Sequence, residues 1–336
     1  MYLLSRKYGF RILLTFSFAS SFIYANAQTD DFSNPRVISG GSRTYNANIT
    51  GNPKCPNTYE YIPTGYDFND KTKKYPLIIS LPGLSEMIQL GESITDAAMR
   101  LAKTNEYENA GVNLKIERNE FPPLTNYQGT DYQFIVVTIQ CQKDDGAEFT
   151  ANLPAAIDDV LSNYLILEKF ADKIDLDKIY LTGTSRGGGI TLEFMESTAR
   201  AIKIAGIVPI APGTPILKFD NVTKEASVDP VHTARFNTIV SNIANTTTLG
   251  FYGVHNVVDQ SVFISASRFW RDAINAITPG KASLREFVED PAPMSNHNAW
   301  KRGYNPNIFE FNGNTVNIFQ WMLSRSSIFA SLPITL

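Results

Sequence analysis

The sequence predicts an α/β protein with a doubly wound, mainly parallel sheet and helices on both faces. Three observations predict it. Short apolar runs alternate with helix-length stretches along most of the chain. These runs are continuously apolar, as strands buried on both faces are. One of them, Lys178-Ile179-Tyr180-Leu181-Thr182, leads through a Gly-rich turn straight into a helix. Such sheets place ligand sites beyond the carboxyl ends of their strands.

The elements follow in order. Gln28 to about Thr50 is rich in Asn, Ser, Gly and Thr, shows no firm period and reads as a lead-in segment. Thr58 to Ile62 is a short strand, closed by the turn Pro63-Thr64-Gly65-Tyr66. Tyr75 to Leu81 is a buried strand ending at Pro82-Gly83, and a mostly helical stretch runs to about Lys103. Gln133 to Ile139 is the next strand, and a helix covers about Ala155 to Ala171. After the Gly-rich turn come a strand at Ile204 to Ile210, a helix at Val231 to Ala244 and a strand at Thr248 to Val254. An amphipathic helix at Val262 to Ile277, a strand at Leu284 to Val288 and a closing helix at Val316 to Leu323 complete the pattern. Two polar stretches, Thr104 to Asp131 and Gly213 to Pro230, interrupt it. They read as insertions at the top rim of the sheet that shape a pocket.

The chain has 336 residues, 43% hydrophobic and 19% charged, which suits one large globular core. Its start stands apart. Arg6, Lys7 and Arg11 precede an apolar run from Ile12 to Tyr24, and Ala25-Asn26-Ala27 supplies small residues before Gln28. This pattern predicts a signal peptide over residues 1–27 and a secreted or periplasmic protein. The run is shorter than the ~20 residues a membrane span needs. No cysteine precedes Cys55, which argues against a lipid-anchored start.

Loss of three basic residues with the leader takes the net charge from −3 to −6. The remaining basic residues are scattered, so nothing points to nucleic acid as a partner. Cys55 and Cys141 are either one disulfide in an oxidising compartment or two separate half-buried thiols. With two cysteines, three histidines and no H-E-x-x-H or C-x-x-C, a metal site is not expected.

The turn Gly183-Thr184-Ser185-Arg186-Gly187 fits G-x-S-x-G between a strand and a helix. A sharp turn there presents the Ser185 hydroxyl and needs small residues at the two glycine positions. It also leaves the Arg186 N–H at a helix N-terminus, able to meet an oxyanion. A serine nucleophile needs a base, and the base needs a carboxylate to fix its tautomer. On the α/β-hydrolase fold these follow in the order Ser, Asp or Glu, His. His297 lies between the final strand and the final helix and is the expected base. Asp259, just beyond a strand end and 38 residues before His297, is the expected acid. Asp220 and Asp229 compete for that role. His232 reads as a surface or capping residue, and His255 lies upstream of any suitable acid. The second oxyanion donor is expected from the loop after Leu81, at the N–H of Leu84.

Together these motifs resemble the secreted α/β-hydrolase esterases related to feruloyl esterases, polyhydroxybutyrate depolymerases and "predicted peptidases". The resemblance covers about Gly51 to Arg325. It rests on Tyr59 to Tyr66, Lys74 to Leu77, Phe134 to Val137 and Asp177 to Gly183. The family's H-G-x-x-D acid motif resembles His255-Asn256-Val257-Val258-Asp259. Its H-x-x-W motif matches His297 with Trp300, and Ile318-Phe319-Gln320-Trp321 follows as in relatives.

Three positions depart from the family pattern. Leu81-Pro82-Gly83 lacks the histidine that buttresses the oxyanion loop, Asn256 replaces a glycine, and Arg186 stands where Met or Gln is commoner. Arg186 would put a cation near the acyl group. The resemblance implies a cofactor-free serine esterase, with residues 51–330 as the catalytic domain and acyl or feruloyl esters on polysaccharides as substrates. A serine peptidase of the same fold and a non-catalytic carbohydrate-binding protein are the alternatives. Residues 331–336 read as a tail or the start of a linker.

Overall fold

Residues 36–89, 91–102, 111–143, 153–288, 296–308 and 316–329 are described by a computed structural model. The expected leader and the last six residues lie outside them. The strands are β1 (Arg36–Ile38), β2 (Gly41–Asn46), β3 (Asn57–Pro63), β4 (Tyr75–Leu81), β5 (Thr125–Tyr127), β6 (Thr130–Tyr132) and β7 (Ile135–Gln140). They continue with β8 (Ile174–Thr184), β9 (Gly206–Ile210), β10 (Leu217–Phe219), β11 (Ala226–Val228), β12 (Gly250–Asn256) and β13 (Ala282–Phe287). The helices are α1 (Ile94–Ala102), α2 (Val112–Glu117), α3 (Leu153–Asp159), α4 (Arg186–Phe194) and α5 (Thr198–Ala201). Then come α6 (Thr233–Asn245), α7 (Ile264–Ile277), α8 (Trp300–Gly303) and α9 (Ile318–Leu323).

The main sheet runs β1-β2-β3-β7-β4-β8-β9-β12-β13. The first three strands and the β3–β7 pair are antiparallel, and every later pair is parallel. β4 is buried at every position. Leu77 and Ile79 belong to one apolar core, and Ile78 between them belongs to the other. A parallel strand covered on both faces needs this, and it explains the unbroken apolar runs.

The lead-in segment differs from its expectation. Residues 41–46 are a strand whose buried side holds Gly41, Arg43 and Tyr45. A two-residue period made of glycine, arginine and tyrosine carries no apolar signal. Arg43 tolerates burial because its Nε donates to Glu117 Oε1 at 2.8 Å, an oxygen that also accepts from Tyr59 Oη at 2.7 Å.

Glu117 lies in the stretch expected to be a pocket-shaping insertion. Its described part is instead a buried helix, α2, docked on Arg43 and Tyr59, and a small hairpin of β5 and β6. Neither borders the cavity described below. The helix predicted over Ala155 to Ala171 is α3 followed by π-helical turns from Val160–Lys169. The wider π spacing is not separable from α spacing in a composition so rich in apolar residues.

Candidate functional site

β8 ends at Thr184, and the chain reverses into α4 through Ser185. Ser185 has φ +52° and ψ −118°, a backbone state that L-residues rarely take. Such a state costs roughly 1–3 kcal/mol and persists only where neighbours over-determine it. Here its N–H donates to Ile210 O at 2.9 Å, and its carbonyl accepts from Gly189 N at 3.0 Å and Gly213 N at 2.8 Å. The flanking glycines are required by space. A Cβ on Gly187 would lie 2.1 Å from the Leu81 carbonyl oxygen, and one on Gly183 would lie 2.4 Å from the Gly187 backbone.

Ser185 and His297 border one cavity of about 380 Å³. Leu84 and Arg186, the two residues whose N–H groups the sequence singles out, border it as well. The rest of the lining is largely apolar: Pro212, Leu217, Phe219, Val262 and Ala266, with Gly213, Thr214 and Ser261. Leu217 and Phe219 come from β10, so the second expected insertion does shape the pocket. Its hairpin is fixed to α7 by an edge-on contact of Phe219 with Phe263 at 5.2 Å. Ser265 Oγ adds a hydrogen bond to Lys224 O at 2.6 Å.

The His297 ring is 15% exposed and donates through Nδ1 to Asp259 Oδ2 at 2.7 Å. Trp300 meets the ring edge-on at 5.3 Å. Asp259 is buried, and its other oxygen accepts from the N–H groups of Ser261 and Val262 at 2.8 and 3.0 Å. Burial alone would push this carboxyl up. Hydrogen bonds from His255 and His297, the His297 charge and the Val262 N–H outweigh burial and hold it below the ordinary aspartate value. The competing acids serve local turns. Asp220 caps the β10–β11 turn through Val222 and Thr223, and Asp229 caps the turn at Pro230.

Three contributors have roles that the sequence did not foretell, although His255 and Asn256 stand in the resembling acid motif. His255 is fully buried, and its Nε2 lies 2.8 Å from Val262 O and 3.3 Å from Asp259 Oδ2. Both partners are acceptors, so Nε2 carries the proton, while Nδ1 meets Ser267 Oγ at 2.7 Å. Asn256 donates to Asn296 O and Asn298 Oδ1, the residues on either side of His297. The i, i+4 spacing of His255 and Asp259 was the available signal for the first.

The third is Glu86. It is buried, with Oε2 2.8 Å from where a Gly83 Cβ would stand, and Oε1 accepts from Ser85 Oγ at 2.9 Å. Gln140 donates to the Glu86 carbonyl, and Ile88 N donates to Cys141 O. The loop after Leu81 is thus braced from β7 without the histidine found in the resembling family.

The expected cation near the acyl group is also changed. The Arg186 side chain is buried and forms a two-pronged ion pair with Glu193, Nη1–Oε1 2.6 Å and Nη2–Oε2 3.0 Å. Cys55 and Cys141 are joined in a disulfide that links the chain entering β3 to the chain leaving β7, both buried. Among the described residues no His, Cys, Asp and Glu cluster could hold a metal. No described helix is long and apolar enough to cross a membrane.

An antiparallel edge, a parallel body and the strand order β3-β7-β4-β8 around a serine turn decide the architecture. This is an α/β-hydrolase fold. Residues 150–248 match a family model described as alpha/beta hydrolase fold, a span that includes Ser185. Among curated proteins nothing matches. Solved α/β-hydrolase structures similar to the chain include a thermostable esterase, 15% identical with a TM-score of 0.48 over 86% of this chain. The chain spans 64% of that esterase's length. Est1E from Butyrivibrio proteoclasticus is 15% identical, TM-score 0.43, covering 81% of this chain and 95% of that one. A feruloyl esterase module from Clostridium thermocellum, complexed with sinapinate, is 16% identical, TM-score 0.45, covering 82% and 89%.

Proposed function

We propose that the protein is a serine esterase that cleaves carboxylic esters through an acyl-enzyme on Ser185. The observation that carries this reading is the His297–Asp259 hydrogen bond at 2.7 Å, with His297 bordering the same cavity as a serine held at a strained strand-to-helix turn. His297 takes the Ser185 proton as Oγ attacks the ester carbonyl. Asp259 keeps the imidazole proton on Nδ1 and stabilises the imidazolium. The N–H groups of Leu84 and Arg186 receive the oxyanion. His297 then protonates the leaving alcohol, and water, deprotonated by the same imidazole, attacks the acyl-enzyme to release the acid. No step calls for a metal or an organic cofactor.

The apolar cavity walls suit the acyl half of an ester, since a polar group buried there would go unpaired. Attachment of that ester to a polysaccharide follows from the family resemblance, as does export by the leader over residues 1–27. Aryl and methyl esters tested beside peptide anilides separate esterase from peptidase. Ester turnover is expected, with a loss of at least ~10⁴-fold in Ser185→Ala. Anilide cleavage without ester cleavage would favour the peptidase. Turnover of neither would favour the non-catalytic alternative.

A further inference from the structure

We propose that Glu193 decides which acyl groups the cavity accepts, by cancelling the charge of Arg186 in its wall. The inference rests on the reading of Ser185 as acyl acceptor. Arg186 borders the cavity, and apart from His297 it is the one charged residue type among the described lining residues. Its guanidinium does not face the cavity as an uncompensated cation. Both of its terminal nitrogens are engaged by the two Glu193 oxygens, seven positions along α4, with side chains 3% and 1% exposed.

Glu193 is also tied to the cavity wall through the loop after β9. Thr214 Oγ1 donates to Glu193 Oε1 at 3.0 Å. Thr214 and Gly213 border the cavity, and Gly213 N donates to the Ser185 carbonyl at 2.8 Å. The ion pair therefore sits between the nucleophile's helix and the loop that forms one wall of the acyl site.

The physical consequence is a selection by charge. An acyl group carrying its own carboxylate must leave water on entering this cavity, and it needs an uncommitted cation there to offset the loss. Glu193 has already taken the guanidinium in two-pronged geometry, the strongest pairing a carboxylate makes with arginine. A neutral acyl chain incurs no such cost. The site is thus matched to neutral acyl esters, although an arginine follows its nucleophile.

Two esters of equal chain length test this, 4-nitrophenyl butyrate and 4-nitrophenyl hemisuccinate, compared as the ratio of their kcat/KM values. Wild type is expected to favour the butyrate. Glu193→Gln keeps the shape but removes the anion, and should move the ratio toward the hemisuccinate by at least ~10-fold. Glu193→Gln with Arg186→Gln removes both charges and should return the ratio to the wild-type side, a reversal that a merely structural role would not produce. Arg186→Met leaves the anion alone and should move the ratio further toward butyrate, which serves if Glu193→Gln does not fold.

An unchanged ratio in the folded single variants, or a shift that persists in the double variant, overturns the proposal while leaving the esterase reading intact. Wild-type turnover of neither ester refutes the esterase reading and this inference with it.

Discussion

Asp259 holds more hydrogen bonds than orienting one imidazole requires. Two backbone N–H groups occupy one oxygen, and His297 and His255 share the other. A carboxylate so surrounded stays ionised below the ordinary aspartate value. The sign follows. A depressed folded value contributes stability above the unfolded value of about 3.9, and that contribution is lost as pH falls through the lower folded value. The thermal midpoint of wild type should therefore exceed that of Asp259→Asn near neutrality. The gap should hold steady down to about pH 5 and narrow only as pH falls below the unfolded value and through the lower folded one. A gap independent of pH would contradict the assignment. His255 was legible as a strand-end residue but not as a partner of Asp259. Only the turn after β12, which brings Val262 O and Asp259 to the same nitrogen, reveals it.

At the scale of elements, the β10–β11 hairpin and the Pro212–Thr214 loop define the cavity that the strand ends leave open. Phe219 is the largest apolar lining side chain and is itself held by Phe263. Phe219→Ala should enlarge the acyl site and shift kcat/KM toward bulkier acyl groups relative to acetate by about 10-fold, with chain-length series as the measurement. No shift would place the acyl group elsewhere.

The parallel strands and the serine turn could be read from sequence because burial on both faces leaves continuous apolar runs, as at Tyr75–Leu81. The antiparallel edge could not, since Gly41, Arg43 and Tyr45 give β2 a buried side without an apolar period. The role of α2 was hidden for a related reason. Its Glu117 is buried only because Arg43 and Tyr59, far away in sequence, supply its partners.

Across the whole molecule, a disulfide ties the chain entering β3 to the chain leaving β7, which in turn holds the loop after β4. Cys55 precedes β3 and Cys141 follows β7, 86 residues apart. Lys54 O accepts from Gln142 N, and Ile88, just past the expected oxyanion turn, pairs with Cys141 and Lys143. Closing so long a loop restricts the unfolded chain, and its loss costs about 2–5 kcal/mol. Cys55→Ala with Cys141→Ala should lower the thermal midpoint by roughly 5–10 °C. It should also lower kcat more than it raises KM, because Cys141 O holds Ile88 N in the loop that carries Leu84, the proposed oxyanion donor. An unchanged midpoint would show that the sheet holds this corner without the bridge.

The central claim is that Ser185 is a nucleophile activated by His297. A fluorophosphonate reacts covalently with such a serine, and peptide mass spectrometry locates the adduct. One adduct is expected, on the peptide carrying Ser185, absent in Ser185→Ala and strongly slowed in His297→Ala. An unlabelled wild type, or an adduct on another residue, would contradict that claim.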